Sequence, residues 1–527
     1  MELSATDSLI LVGVIAAGVV LLATADLVRV PFPILLVLGG LALALIPGMP
    51  HVELDPRLVL VAILPPLLYA GAYFTSLREF RANIAEISLL AVGLVLLTTL
   101  IVAAVAHAMI PGVDWPTAFV LGAIVSPTDP TAATSIAERA GIPRRLVGII
   151  DGESLVNDGT ALVAYRFAVT AVLTGSFSLV AASGRFVLNV TGGIAIGLAA
   201  GYLIRQVRKR LNNPTLEVTI ALCSGYIAYL PAQAAGVSGV LAAVTVGVYM
   251  GWYTPELTNP ETRLQGAAVW NITLFVLNAV LFTLVGLQLP AIVDALKGEH
   301  SWENLVMWGV LLTLSVIAIR FVWLFVTSWL PGPMRPGVGA DGWRANVILG
   351  WAGMRGAVSL AAALALPLTT HAGDPFPNRA LIIFLTFTVI LGTVVGQGLT
   401  FPAVIRLVGL EDDGRAEKEE AKARIRAAQA ALDRLDELAD EGWVYDDTLE
   451  RARGQYRFRV DRYKERFDPD TDGTREARSA QYQRLRRELL NAERGAVVDL
   501  RRQGVIDDDV MRRVTRDLDL EEERLDL

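Results

Sequence analysis

From residue 7 to about residue 407 the chain alternates long apolar runs with short polar loops, and beyond that point the pattern changes. About 20 apolar residues carry a helix across the hydrocarbon core of a bilayer. Thirteen stretches are long enough, at roughly 7–25, 31–47, 56–75, 84–109, 115–138, 145–174, 179–204, 214–231, 236–253, 263–289, 302–330, 344–370 and 377–407. A transmembrane barrel would show segments of about ten residues alternating apolar and polar, which this sequence lacks. The pattern predicts an all-α polytopic membrane protein, with thirteen transmembrane helices in residues 1–410 and a separate tail at 411–527.

In the tail, helical spacing returns in a polar setting. Ile425, Ala428, Leu432, Leu435 and Leu438 sit at near-heptad intervals, which predicts a helix over 415–441, and 475–503 reads as a second. Asp468-Pro469-Asp470-Thr471-Asp472-Gly473 between them is a turn or linker. Its acids lack the twelve-residue spacing and closing Glu of an EF-hand calcium loop. Disorder is the alternative, because charge is high and aromatics are few.

Composition sharpens the division. Of the 527 residues 53% are hydrophobic, and the net charge is -7. Residues 1–410 hold 21 basic and 21 acidic residues, and the tail holds 25 and 32. The net charge therefore belongs to the tail and points to no nucleic-acid partner. The apolar length excludes an ordinary soluble enzyme. A single cysteine, Cys223, excludes an intrachain disulfide framework, and with only four histidines a structural zinc site is not expected.

The loops orient the stack. One side carries thirteen basic residues: Arg29, Arg78, Arg81, Arg139, Arg144, Arg145, Arg205, Arg208, Lys209, Arg210, Arg263, Arg335 and Arg344. The other carries four: Arg57, Arg185, Lys297 and Arg379. Basic loops face the cytoplasm, so the N-terminus is expected outside and the tail inside. No basic stretch precedes the first segment, so it is not read as a cleaved signal peptide.

Thirteen segments divide into six, a connector and six, which would make two inverted halves. The fifth and twelfth segments then correspond, and both are interrupted. The fifth contains Ser126-Pro127-Thr128-Asp129-Pro130, and the twelfth contains Gly350-Trp351-Ala352-Gly353-Met354-Arg355-Gly356. Matching breaks point to a transporter site. Kinks for packing alone are the alternative, but a charge sits at each break, Asp129 and Arg355.

Charges at bilayer depth cost about 2.5–3.5 kcal/mol on insertion scales, so they need a partner or a function. Counting about 1.5 Å per residue places Asp158, Asp129 and Arg355 near the middle of the membrane. Glu153 and Arg320 fall at one depth and are expected to pair as a structural brace. Ser154 and Asp158 are four apart and share a helix face, with Asp151 nearer the mouth. A hydroxyl and a carboxylate opposite a broken helix supply oxygen ligands for a small hard cation, and the break would add the Thr128 hydroxyl or freed carbonyls. One nearby carboxylate favours a monovalent ion, although Asp129 leaves this open. Asn157 is placed to steady a neighbouring backbone or carboxylate. Desolvation disfavours a charged carboxylate, so a proton and a cation would compete for Asp158. With alternating access that competition yields antiport. An intramembrane aspartyl hydrolase using Asp129 and Asp158, or a cation channel, would leave the paired breaks or the proton competition unexplained. Arg166, further along the sixth segment, has no partner assigned by this reading.

Three motifs carry a family resemblance: Ser126-Pro127-Thr128-Asp129-Pro130, Gly152-Glu153-Ser154-Leu155-Val156-Asn157-Asp158-Gly159 and Gly353-Met354-Arg355-Gly356-Ala357-Val358-Ser359-Leu360. They resemble signatures of bacterial sodium/proton antiporters of the monovalent cation:proton antiporter-1 family, in order and spacing. The tail resembles the bacterial form in Leu489-Leu490-Asn491-Ala492-Glu493-Arg494 and Asp517-Leu518-Asp519-Leu520.

The resemblance implies a homodimer in the bacterial inner membrane. It implies core helices at about 84–174 and 302–407 moving against a dimerisation part at about 7–75 and 179–289, and crossed, unwound helices at the two breaks. It assigns the ion to Asp158 with Ser154 and Thr128, sets Asn157 and Asp129 beside it, and pairs Glu153 with a core arginine, here Arg320. The Asn157-Asp158 pair resembles the electroneutral type, exchanging one cation for one proton without a cofactor. Sodium is the expected cation, with lithium and potassium as alternatives. Some relatives carry Glu after Leu-Pro-Pro-Leu-Leu and an aromatic residue; here Leu64-Pro65-Pro66-Leu67-Leu68-Tyr69 is followed by Ala70, so no acid is available there.

Overall fold

A computed structural model describes residues 31–46, 58–175, 179–296, 300–329, 342–410, 414–465 and 474–523. The predicted first segment (7–25), the loop residues Arg29, Arg57, Lys297 and Arg335, and the linker at 468–473 lie outside them. Among the described residues all regular structure is helical, and β pairing is confined to an isolated bridge between Thr369 and Pro375. The chain divides into two units, Met1–Asp412 and Asp413–Leu527.

In the first unit the helices are α1 (Phe32–Ala44), α2 (Leu64–Phe74), α3 (Val95–Met109), α4 (Trp115–Val125), α5 (Pro130–Arg139), α6 (Arg144–Thr174), α7 (Leu179–Arg208), α8 (Pro214–Ala234), α9 (Gly239–Leu257), α10 (Pro260–Leu287), α11 (Trp302–Thr327), α12 (Gly342–Trp351), α13 (Ala357–Leu364), α14 (Arg379–Leu391) and α15 (Gly398–Val408). Helix starts follow local capping chemistry. The side chains of Asp114, Asn213, Ser238, Asn259 and Ser301 accept from the amide three residues on, and Pro fills the first turn of α4, α8 and α10. α6 and α15 stop at Gly175 and Gly409, which take the left-handed conformation.

Six described helices are long and apolar enough to cross a membrane: Ile84–Met109, Gly184–Arg208, Pro214–Ala234, Pro260–Asp294, Trp302–Thr327 and Arg379–Val408. Phe32–Ala44 and Val61–Phe74 are apolar but shorter. Ile84–Met109 and Arg379–Val408, expected as regular helices, each contain a wide turn, over Leu89–Leu94 and Gly392–Gln397.

Three groups of buried apolar side chains organise this unit. The largest draws on α1, α3 to α6 and α10 to α15, a second on α2 and α7 to α10, and a third joins α2, α6, α8 and α9. Close helix crossings join neighbours. A Cβ on Gly40 of α1 would meet the Thr283 carbonyl of α10, and one on Gly286 of α10 would meet the Val37 carbonyl of α1. Helices in lipid gain little hydrophobic energy from meeting, so close approach at small residues supplies the packing.

The second unit holds four described helices where two were expected: α16 (Arg415–Asp440), α17 (Asp446–Glu465), α18 (Thr474–Arg502) and α19 (Asp508–Glu523). Of the two additional ones, α17 has few apolar residues in register, whereas α19 repeats them at helical spacing in Val510, Val514 and Leu518. Both helices are held by pairing: Ala428, Leu449 and Val460 are buried, as are Leu490 and Leu518. Arg453 of α17 bridges to Asp436 of α16 at 2.7 Å, and Arg494 of α18 to Glu522 and Asp519 of α19 at 2.5 and 2.6 Å. The hydrogen bonds from Glu522 and then Asp519 hold the Arg494 guanidinium above its ordinary range. Such exposed pairs contribute little singly.

The α1–α10 crossing yields a test. Gly286→Val is expected to destabilise the membrane unit by about 1–3 kcal/mol through overpacking, read as a lower melting temperature in detergent. Gly266→Ala, whose added Cβ would meet only Val218 at 3.8 Å, should melt like the parent protein.

Candidate functional site

A backbone that leaves the helix inside a membrane exposes amides and carbonyls that lipid cannot satisfy. Two such interruptions face each other here. Between α4 and α5 the chain runs through Ser126, Pro127, Thr128 and Asp129; between α12 and α13 it runs through Ala352, Gly353, Met354, Arg355 and Gly356. Pro127 and Pro130 explain the first. Proline cannot donate to a helix interior, and Pro130 sits at the first position of α5, where no donor is required.

The second interruption requires glycine. A Cβ at Gly356 would run into the Asp129 carboxyl, and one at Gly353 into the Arg320 side chain.

The breaks satisfy each other. Asp129 caps α5, its carboxylate accepting from the Thr131 amide at 2.9 Å, while its own amide donates to the Met354 carbonyl at 2.8 Å. The same carboxylate lies against Gly356, at the N-terminus of α13. Arg355 serves the opposite ends. Its Nε donates to the Val125 carbonyl at 3.0 Å, where α4 stops, and its Nη1 donates to the Gly353 carbonyl just beyond α12. An anion at helix N-termini and a cation at C-termini match the partial charges there. Arg355 is 1% exposed and does not line the cavity described below. Placed from the sequence among charges converging on the midplane, it instead turns to carbonyl groups, because those oxygens have no other donor.

Glu153 and Arg320 form a two-pronged buried pair, at 2.5 and 2.8 Å, and Arg320 Nε donates to the Leu349 carbonyl at 2.8 Å. The pair thereby joins α6, α11 and α12. Thr128 is a hub. Its carbonyl accepts from Ser154 Oγ at 3.1 Å and from Asn157 Nδ2 at 3.3 Å; its hydroxyl accepts from Asn157 at 3.0 Å and donates to Glu153 at 3.1 Å. Both alternatives at this break, the hydroxyl and the Thr128 carbonyl, are thus engaged by protein groups. Asn157 is fully buried and steadies the Thr128 backbone, with its own Oδ1 left without a partner.

Asp158 differs from all of these. It is 7% exposed, and among the described residues its carboxylate has neither a hydrogen-bond partner nor a countercharge. It lines a cavity of about 430 Å³ together with Thr128, Asp129 and Ser154. Asp151 and Glu138 line the same cavity, as do Phe74 and Thr75 at the end of α2. Ala70, where some relatives have an acid, is buried in its wall. Asn157, Glu153 and Arg320 stand behind it, outside the lining.

Five polar lining residues escaped the sequence reading: Thr75, Thr131, Thr134, Glu138 and Asn278. Ser359 lies within the third motif; Asn278, on α10, comes from a distant helix that no spacing rule connects to Asp158. Arg166 donates to Gln233 of α8 at 3.1 Å, and Gln233 in turn donates to the Tyr229 hydroxyl at 2.9 Å. Chemically, the cavity offers the buried Asp158 carboxylate beside hydroxyl oxygens, with Asp129, Asp151 and Glu138 also in its lining, a donor set suited to a hard cation or a proton.

Comparison with known proteins gives a family match. The sequence model for the sodium/hydrogen exchanger transmembrane domain matches residues 13–407. An uncharacterized Na(+)/H(+) exchanger of Mycobacterium tuberculosis is 39% identical over 98% of this chain and 96% of its own length. A sodium, potassium, lithium and rubidium/H(+) antiporter of Bacillus subtilis is 33% identical over 71% of this chain and 57% of its own. The solved sodium proton antiporter MjNhaP1 from Methanocaldococcus jannaschii, 18% identical, matches the fold with a TM-score of 0.61 over 76% of this chain and 98% of that one.

The brace can be tested by stability. Glu153→Ala leaves Arg320 buried without its carboxylate, a change that costs about 3–5 kcal/mol. Its melting temperature in detergent should fall clearly, and by more than its apparent cation affinity weakens. An unchanged melting temperature would refute the brace.

Proposed function

The chain belongs to the sodium/hydrogen exchanger family, and from that premise we propose that it exchanges one sodium ion for one proton, with both competing for Asp158. As a multi-pass membrane transporter of this family it is not an enzyme and uses no cofactor; its substrates are the transported monovalent cation and proton.

The observation that carries the finer reading is the Asp158 carboxylate, buried at the wall of the cavity without a countercharge among the described residues while Glu153 and the two core arginines are engaged elsewhere. Glu153 is neutralised by Arg320, and Arg355 is spent on carbonyls. A bare buried carboxylate is costly. Binding a cation or a proton removes the cost, so the two loaded forms can cross and the empty form is held back. Ser154, Thr128 and Asp129 would stand around the ion, and Asn157 would hold the Thr128 backbone that faces it. Because Asn157 is neutral, one charge is traded for one, which makes the exchange electroneutral. The Bacillus subtilis relative, whose name covers four alkali cations, supports potassium and lithium as alternative substrates.

The wider architecture is part of the same proposal. Thirteen helices form two inverted six-helix repeats in residues 1–410, with the breaks crossed at the pseudo-symmetric positions. Helices at about 84–174 and 302–407 move against a dimerisation part at about 7–75 and 179–289, in a homodimer, giving alternating access. The N-terminus lies outside the bacterial inner membrane and the helical tail at 411–527 in the cytoplasm, as the thirteen-to-four split of basic loop residues supports.

In proteoliposomes carrying an internal pH dye, Asp158→Asn should abolish cation-driven dequenching while the protein still melts as a folded species; normal dequenching would refute the mechanism. With sodium, potassium and lithium tested in turn, clamping the voltage with an ionophore should leave the parent's rate unchanged. A rate that responds to the imposed voltage would exclude one-for-one exchange.

A further inference from the structure

A second cavity, of about 260 Å³, whose lining does not include Asp158, lies at the end of the bundle where α7 and α9 stop and α8 and α10 begin. Its lining includes Arg208, Glu217, Thr254, Thr262 and Arg263. Two guanidinium groups thus meet a single carboxylate. Arg208 is 3% exposed, and it is poorly satisfied. Its contacts with Glu217 and the Thr254 hydroxyl are both stretched to 3.4 Å, and its Nε has no acceptor. The bidentate pair of Arg320 with Glu153, at 2.5 and 2.8 Å, shows what a saturated buried arginine looks like in this same protein. The Thr262 hydroxyl, also 3% exposed, has no partner either.

The Arg208 Nε and the Thr262 hydroxyl therefore lack an acceptor. Two helices begin at the cavity and two end there, so the helix dipoles offset one another, and the positive excess comes from two guanidinium groups against the one carboxylate of Glu217. Arg263 spends one nitrogen on the Thr258 carbonyl at 2.5 Å. An unsatisfied guanidinium fork wants two acceptor oxygens on one group, with further oxygens for the hydroxyl. A phosphate group has that number and geometry. We propose that the Arg208–Thr262–Arg263 cavity binds a phosphate anion, presented by an anionic lipid headgroup or as free phosphate. This end of α7 carries Arg205, Arg208, Lys209 and Arg210, a basic concentration of the kind that recruits anionic headgroups between helices. Occupancy would tie α7, α8, α9 and α10 together, because the ligand's oxygens would bridge donors from separate helices.

The test uses the delipidated full chain in detergent, melted in the presence of phosphatidylglycerol, phosphatidylcholine or inorganic phosphate, with chloride at matched ionic strength. Ligand that binds only the folded state raises the melting temperature. Phosphatidylglycerol should raise it by several degrees while phosphatidylcholine leaves it unchanged; a rise with inorganic phosphate as well assigns the site to the phosphate group alone. The Arg208→Gln/Glu217→Gln double variant removes both buried charges together, and should need at least tenfold more ligand for half of the shift. Thr262→Val, which disturbs no ion pair, should weaken the response in the same direction and keeps the comparison open if the double variant does not fold. No shift with either anion, or the same dose response in the parent and both variants, would overturn the proposal.

Discussion

Inside lipid, a chain that leaves the helical ladder has no water to receive its amides and carbonyls, so each helix end must find a partner within the protein. Four helix ends meet here, those of α4, α5, α12 and α13, and two residues serve them. Asp129 stands at the two N-termini and Arg355 at the two C-terminal ends, with the Asp129 amide and the Met354 carbonyl closing the gap between the chains. The charges match the helix dipoles they face. Without this exchange of caps the two interruptions would be unfilled backbone at membrane depth, and the cavity beside them would lose its shape.

The next tier follows from that arrangement. Thr128, fixed in the first break, gathers Ser154, Asn157 and Glu153 of α6, and Glu153 passes the connection to Arg320 and onward to the Leu349 carbonyl of α12. One network therefore spans both breaks and α11. Buried polar groups are expensive when unpaired; here Thr128, Ser154, Glu153 and Arg320 satisfy one another, and Asp158 stands outside their network. Its carboxylate has cavity on one side and no compensating group on the other. The site proposed for the exchangeable ion lies where these structural contacts end.

Some of this was legible from residue order. Depth counting along the sixth and eleventh segments sets Glu153 level with Arg320, and the structure joins them. The interrupted segments read directly, since Pro127, Pro130, Gly353 and Gly356 are residues whose backbone chemistry stops or bends a helix. The four-residue spacing of Ser154 and Asp158 puts both at the cavity wall. In the tail, near-heptad spacing revealed α16; α19 carries the same signal in Val510, Val514 and Leu518 and was equally legible, whereas α17, with few apolar residues in register, leaves little periodic trace.

The sequence by itself determined the division at about residue 410, the membrane character of the first part, the two breaks and the short set of acids that lipid would penalise. Each is a local property, set by apolar run length, by proline and glycine, and by the cost of a charge. Tertiary structure alone decided what each group faces. It turned Arg355 away from the Asp158 cavity toward carbonyls and occupied the Thr128 hydroxyl. It also brought Asn278 from α10 to the cavity lining and gave Arg166 to Gln233. Partner choice depends on which helices cross and at what height, and residues far apart in the chain carry no record of that until the helices pack.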